Sequence, residues 1–237
     1  NTRRVIWQLL DDEARNQSLQ YLREDVRAEF LEAMDTAQLV AAAEDLDTDD
    51  FADILQQLPA TITHQVLENL NARDRARVES VLSYPEDSAG GLMDTDTITV
   101  RPRHAIELVL RYLRLRKDLP KSTDSLIVVN SADEYVGILP LAKLLTSDPT
   151  VTVREIMASD VAAINVAETD AAVAKIFSER DLISAPVIDD NGILLGRITI
   201  DDVVDVIIED AEEAVLAQAG LDVDEDTFAP VHKAVRR

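Results

Sequence analysis

Carboxylates carry most of the chemistry open to this chain, and they are concentrated in two places. From Asp201 onward the residues read as an amphipathic helix. Asp202, Asp205, Glu209 and Glu213 fall on one face with Glu212 flanking it, and Val203, Val204, Ile207, Ala211 and Val215 fall on the other. Like charges at these spacings weaken an isolated helix by a few tenths of a kcal/mol per pair. Two carboxylates about 6 Å apart repel by about 0.7 kcal/mol in water and by about 3 kcal/mol at an effective dielectric of about 20. A second acidic surface closing over the stripe raises that repulsion, and a divalent cation relieves it. Magnesium suits such a place, because it takes oxygen ligands, keeps several waters and needs only one or two carboxylates from each side; calcium takes the same groups, and so does manganese. A solvated helix face is the other reading, and the residues alone fit both.

The second concentration is Leu46-Asp47-Thr48-Asp49-Asp50-Phe51-Ala52-Asp53. It opens a helix, with Asp47 or Thr48 as the N-cap. Asp49 and Asp53 share a face at i and i+4, and Asp50 lies beside them. Carboxylates in a first turn complement the helix dipole without any ligand. That accounts well for Asp49 and Asp50, and less well for Asp53, a turn further in.

Composition narrows the partners. The chain has 237 residues and a formal net charge of -23, with 46% apolar residues, so it has enough Leu, Ile and Val for proper cores and is not a disordered acidic tail. Nucleic acid and anionic membrane surfaces need a basic footprint and are excluded as expected partners. Cations, basic proteins or water remain. With no cysteine there is neither a disulfide framework nor a thiolate metal site. No apolar run approaches the roughly 18 residues of a membrane span, and no signal peptide opens the chain. A start at Asn1 and an end at Val235-Arg236-Arg237 suit a piece of something longer. Catalysis finds no support: His64, His104 and His232 lie in separate segments, and there is no nucleophile elbow or P-loop.

The elements that must position the acids follow from periodicity. Up to about Tyr84 apolar residues recur at helical spacing, as in Phe51, Ile54, Leu55 and Leu58, with Asp35-Thr36, Asp47-Thr48, Pro59 and Asn71 as caps and breakers. This predicts a small stack of helices. Tyr84 to Gly91 breaks the pattern with a Pro and a Gly pair, which marks a domain boundary. An internal duplication comes next. The first copy runs Leu92-Met93, strand Thr97–Val100, a helix from about His104 to Lys117, strands Leu126–Val129 and Tyr135–Leu139, and a helix near Leu141 to Leu145. The second runs Ile156-Met157, strand Ala163–Val166, a helix from about Thr169 to Arg180, strands Pro186–Asp189 and Leu194–Thr199, and a helix from Ile200. Neither copy is large enough to bury a core alone, so the two should pack as a pair.

That tandem unit, opened by Leu-Met or Ile-Met, resembles the CBS domain pair. The linker Tyr84-Pro85-Glu86-Asp87-Ser88-Ala89-Gly90-Gly91-Leu92-Met93, the segment Asp201-Asp202-Val203-Val204-Asp205-Val206 and the run from Phe228-Ala229-Pro230 to Arg237 are similar to the MgtE family of magnesium transporters. The resemblance implies an α+β fold: an all-α helical superhelix at 1–84, a linker at 85–91, CBS repeats at 92–153 and 154–208, and at 209–237 a connecting helix leading into a membrane part. It implies a non-enzymatic regulator on the cytoplasmic face of the cell membrane, a homodimer through its CBS domains, joined to a membrane domain of the same chain. Magnesium at its interfaces would favour the closed pore. It also places Asp49 and Asp53 where they help hold magnesium between helical and CBS domains, with Asp181 as a candidate CBS-side counterpart. CBS repeats that bind adenine nucleotides often carry Gly-x-x-Ser/Thr-x-x-Asp. The second repeat has it in Gly196, Thr199 and Asp202, whereas the first reads Gly137, Pro140, Lys143. ATP binding of the family kind, which uses mainly the first repeat, is therefore in question, and Thr199 reads equally as a helix N-cap. A nucleotide-sensing module and a protein-interaction scaffold are the rival functions.

Overall fold

A computed structural model describes residues 2–22, 24–116 and 119–219. The N-terminal part is helical throughout its described length: α1 (Thr2–Leu9), α2 (Asp12–Leu19), α3 (Glu24–Leu31), α4 (Thr36–Asp45), α5 (Thr48–Gln56), α6 (Ala60–Asn69) and α7 (Ala72–Leu82). Local chemistry sets the boundaries. Asp35 and Gln38 form a reciprocal capping box at the start of α4, and the Asn71 side chain accepts from the backbone N–H groups of Arg73 and Asp74 at the start of α7. Leu19, Leu39, Phe51, Ile54, Leu55 and Val66 are almost fully buried in one core.

The duplicated part follows. Its first copy is β1 (Thr99–Val100), α8 (Ile106–Arg116), β2 (Ser125–Val129), β3 (Tyr135–Pro140) and α9 (Leu141–Thr146). After the short α10 (Val153–Ile156) the second copy is β4 (Ile164–Asn165), α11 (Asp170–Arg180), β5 (Ser184–Ile188), β6 (Leu194–Thr199) and α12 (Ile200–Ala219). Each copy folds one sheet in which the first strand runs parallel to the second and the second antiparallel to the third. Even the irregularity is repeated: the register shifts between Val128 and Val129 in one sheet and between Val187 and Ile188 in the other. The expected α+β class, helices first and a tandem repeat after, is the class observed. Residues 220–237, where the lead-in to a membrane part was expected, lie outside the described residues.

The helical domain is docked on the second repeat. Ala52 of α5 and Val81 of α7 belong to the same buried cluster as Val173, Phe177, Val187, Ile198 and Val203 of the second repeat. The linker completes that cluster with Ala89 and Met93, and its backbone pairs with the repeat through Ala89 N–H to Glu168 O at 2.7 Å and Gly90 N–H to Val166 O at 3.0 Å. Gly90 is dictated by this approach, because a Cβ there would lie 2.4 Å from the Tyr84 ring. The path of α12 departs from a simple helical wheel. Val203 and Val206 are buried, but Val204 is 44% and Ile207 46% exposed. The helix turns a narrower stripe inward than its apolar residues offer, because only its first turns lie over the second repeat's core.

Candidate functional site

Two helix starts meet at the seam between the helical domain and the second repeat. α5 begins at Thr48, and burial of Phe51, Ile54 and Leu55 in its own domain leaves Ala52 turned to the second repeat. Its first turn is drawn under cover as a result: Thr48 is 9% and Asp49 6% exposed. α12 begins directly after β6, so its first-turn acids Asp201 and Asp202 are delivered by the end of a strand. Thr199 caps it. The Thr199 N–H and hydroxyl both donate to Asp202 Oδ2 at 3.0 Å, and the hydroxyl also contacts Asp201 Oδ1.

Between these two starts runs the strip after the linker. Asp94 pairs with Arg197 of β6 through Asp94 N–H to Arg197 O at 2.8 Å and Arg197 N–H to Asp94 O at 2.9 Å. Gly196 permits the approach, since a Cβ on it would stand 2.7 Å from the Asp94 carbonyl oxygen and 3.0 Å from Met93 Sδ. Asp94 is 3% exposed. The Thr48 hydroxyl donates to its Oδ1 at 3.2 Å, as does the Asp96 N–H at 2.8 Å.

The electrostatics are those of crowded carboxylates. Asp49 is held well above the usual carboxylate range by burial first, then by the charges of Asp202, Asp50, Asp94 and Asp47. Burial, then Asp47, pushes Asp50 up to about 7, with Lys121 opposing the rise. Asp202 is raised to about 7 by burial, eased by the Thr199 N–H and aggravated by Asp201. Asp94 is raised by burial, and Arg197, whose Nη2 lies 3.7 Å from its Oδ2, only moderates this. Asp49 Oδ1 is buried without a hydrogen-bond partner among the described residues. An orphaned carboxylate oxygen of that kind costs about 1–3 kcal/mol or more. The nearest relief is Lys121, whose Nζ lies 3.1 Å from Asp47 Oδ2. Asp47 is the N-cap residue of α5 by its backbone, but its side chain caps nothing and turns to that lysine instead.

An oxygen-only donor set with an unmet buried oxygen fits a hard divalent cation. Among the described residues no group of three or more His, Cys, Asp or Glu side chains is placed to hold a metal ion. A cation here would therefore meet no more than one carboxylate from each side and take water in its remaining positions.

Of the acids singled out in the sequence, the fold brings Asp49, Asp50 and Asp202 together. Asp53 lies one turn on in α5 and acts on Asp50 as a further negative charge. Asp205 lies on the exposed side of α12, and partial desolvation of its carboxyl, then the charge of Asp201, raises its pKa. Asp181 ends α11 in the left-handed conformation, φ 52° and ψ 44°, and is not among the strongest charges acting on Asp49, Asp50 or Asp202. Glu209, Glu212 and Glu213 fall within the backbone span of α12, but their side chains lie outside the described residues. Gly196, Thr199 and Asp202 have the packing and capping roles given above. Sequence reasoning missed Asp94, Lys121 and Arg197, and named Asp201 only within the Asp201 to Val206 segment. The one local hint was an acidic Asp94-Thr95-Asp96 strip following a buried Gly-Gly linker.

A helical domain seated on a tandem βαββα pair, with a long helix leaving the second repeat, defines a CBS-pair module. The comparisons with known proteins make this specific. Residues 1–87 match the MgtE intracellular N domain and residues 153–209 the CBS domain. The magnesium transporter MgtE of Thermus thermophilus is 33% identical over 225 residues, 93% of this chain and 50% of that protein. The crystal structure of the cytosolic domain of the Mg2+ channel MgtE in complex with ATP superposes with a TM-score of 0.80 at 33% identity, covering 86% of this chain and 84% of that one. The soluble part of a magnesium transporter shares the fold, with a TM-score of 0.79 at 22% identity over 88% and 82% of the two chains. The chain belongs to the MgtE family of magnesium transporters, which is not a family of enzymes. It spans about half the length of the curated relatives it matches, and no described helix is long and apolar enough to cross a membrane.

Proposed function

We propose that this chain is the cytosolic regulatory region of a magnesium transporter, that it reads the magnesium concentration at the acidic seam, and that cation binding favours the closed pore. The observation that carries the reading is the orphaned, buried Asp49 oxygen among the charges of Asp202, Asp50, Asp94 and Asp47. At low magnesium this repulsion works against docking of the helical domain on the second repeat. At high magnesium a cation bridging Asp49, with Asp50 and Asp53 beside it, to Asp202 and Asp205 removes it. The sequence spacing continues the acidic series at Glu209, Glu212 and Glu213. The cation must bind the docked state better, because equal affinity for both states shifts nothing. The family supports magnesium as the physiological ion; calcium and manganese bring the same oxygen preference in vitro.

The module works as a homodimer through its CBS domains, attached to the membrane domain of the same full-length chain at the cytoplasmic face. Exposed apolar residues on α8 (Leu108, Tyr112, Leu115) and α12 (Val204, Ile207, Ile208) support association. The test is small-angle scattering during a magnesium titration at constant ionic strength, with a matched potassium series. Saturable compaction with magnesium only, lost in Asp49→Ala, is the expected result; equal compaction in potassium sinks the reading.

Adenine nucleotide is the second reading, favoured by the ATP held by the 33%-identical relative. In this chain the Thr199 hydroxyl donates to Asp201 and Asp202, and the first repeat offers Pro140 and Lys143 at the matching positions. Calorimetry with ATP in EDTA separates the two readings: tight ATP binding without a divalent response favours the nucleotide.

A further inference from the structure

We propose a second, oppositely charged site: a phosphate-chain binding cavity formed by Arg101, Arg103 and Arg154 where the first repeat meets the start of the second. In a chain of net charge -23, this cavity of about 360 Å³ is lined by Arg101, Pro102, Arg103, Asn130, Ser131 and Arg154. It does not overlap the acidic seam and shares no residue with it.

The backbone builds it. The loop leaving β1 is fastened to α10 by Arg154 N–H to Pro102 O and Val153 N–H to His104 O, both 2.9 Å. Arg101 and Arg103 come from that loop and Arg154 from α10, and the turn between β2 and β3 supplies Asn130 and Ser131. Three arginines therefore line one concavity. Arg101 Nη2 donates to Asp133 Oδ1 at 2.7 Å, but its Nη1 is buried without a partner. Arg103 and Arg154 are exposed and make no ion pair among the described residues. Two other carboxylates lie close by: Glu134 accepts from Asn130, itself a lining residue, and Glu155 accepts from the Thr152 N–H and hydroxyl at 2.7 Å. The positive surroundings register on His104, whose pKa is lowered by burial and then by Arg103 and Arg101. The Arg101 N–H donates to its Nδ1 at 3.2 Å.

The ligand follows from the donors. A guanidinium fork pairs bidentately with phosphoryl oxygens, and several converging on one cavity match a multiply charged chain better than a single carboxylate. Inorganic pyrophosphate and the polyphosphate of a nucleotide share this chemistry. Either would tie the loop after β1 to α10, and so the first repeat to the entry of the second.

The experiment is calorimetry on the whole chain with pyrophosphate and, separately, ATP. It is run in EDTA at fixed ionic strength, so that chelated cations do not report on the acidic seam. Saturable pyrophosphate binding is expected, weakened at least about tenfold in Arg103→Gln/Arg154→Gln. Both side chains are exposed, and an unchanged melting curve checks the fold; Arg154→Gln alone serves if it does not hold. ATP losing affinity together with pyrophosphate assigns the cavity to the phosphate chain of a nucleotide, and pyrophosphate alone losing affinity assigns it to the free anion. No saturable binding of either, or affinities that the variants leave unchanged, overturns the proposal.

Discussion

Asp96 and Asp49 lie on the same seam between the helical domain and the CBS pair, yet their surroundings are opposite. Asp96 is gripped by Arg77 of α7 at 2.7 Å and by Arg116 of α8 at 2.8 Å, with Arg73 at 4.0 Å. Burial pushes its pKa up, but the hydrogen bond and charge of Arg116 and the charge of Arg77 outweigh it and hold the carboxyl below its ordinary value. Asp49 has more carboxylates in place of arginines and is driven the other way. Asp96 is thus a permanent latch, joining the helical domain to the first repeat in any ordinary medium. Asp49 belongs to a seam that is comfortable only when a proton or a cation neutralises it. On the proposed function, one interface would stay tethered while it changes how tightly it is closed.

The largest effect expected from this contrast is on Asp49→Asn. With Asp50 and Asp202 held at about 7 in the folded chain and Asp49 raised as well, the folded state keeps protons that the unfolded state has released near the reference value of about 3.9. Stability is therefore present in full below that value, falls as pH rises, and is lost once pH passes the folded values. Without divalent cations the wild-type melting temperature should drop between pH 5 and pH 8, and magnesium should restore it at pH 8. Asp49→Asn should gain stability at pH 8 on the order of a few kcal/mol, because an unpaired buried charge is gone, and should lose most of the magnesium response. A melting curve as steep in pH as wild type would break the comparison.

Asp96→Ala tests the other half. It strands Arg77 and Arg116, both about a quarter exposed, and should cost about 2 kcal/mol. The loss should be the same with and without magnesium and flat from pH 5 to pH 8, since Asp96 is held below its ordinary value. Thermal unfolding with and without magnesium decides it; a magnesium-dependent loss would mean the two clusters are a single site.

The fold was legible from the sequence because its signals are local. Strand, helix, strand and strand recur with a Gly at the same place, and α11 and β6 lie within a residue of where apolar spacing and turn residues put them. The α5 start was legible for the same reason. Half of the seam was not. Asp94 stands outside any helix or strand and reaches the site only because Gly196 lets its backbone lie against β6. Lys121 lies 74 residues from Asp47, its partner at 3.1 Å, and no periodicity carries that information. On α12 the wheel found Val203 but missed Val206, the other buried residue, and wrongly turned Val204, Ile207, Ala211 and Val215 inward, because the covered stripe depends on where the second repeat ends.

Lys121 gives the smallest and sharpest test. It is one of two cations in the seam beside Arg197: it pairs with Asp47, opposes the rise of the Asp50 pKa, and its backbone carbonyl accepts from Arg197 Nη2 at 2.6 Å. The pair is 47% and 30% exposed, so Lys121→Ala should cost less than about 1 kcal/mol of stability. Its effect on the cation should be out of proportion to that. With the ammonium gone, Asp47 and Asp50 lose a competitor for any divalent ion, and the magnesium midpoint for compaction should fall severalfold. Scattering across the titration measures the shift directly. A midpoint that rises would mean the lysine helps to hold the docked state rather than competing for its charge, and the seam would then be a second latch beside Asp96.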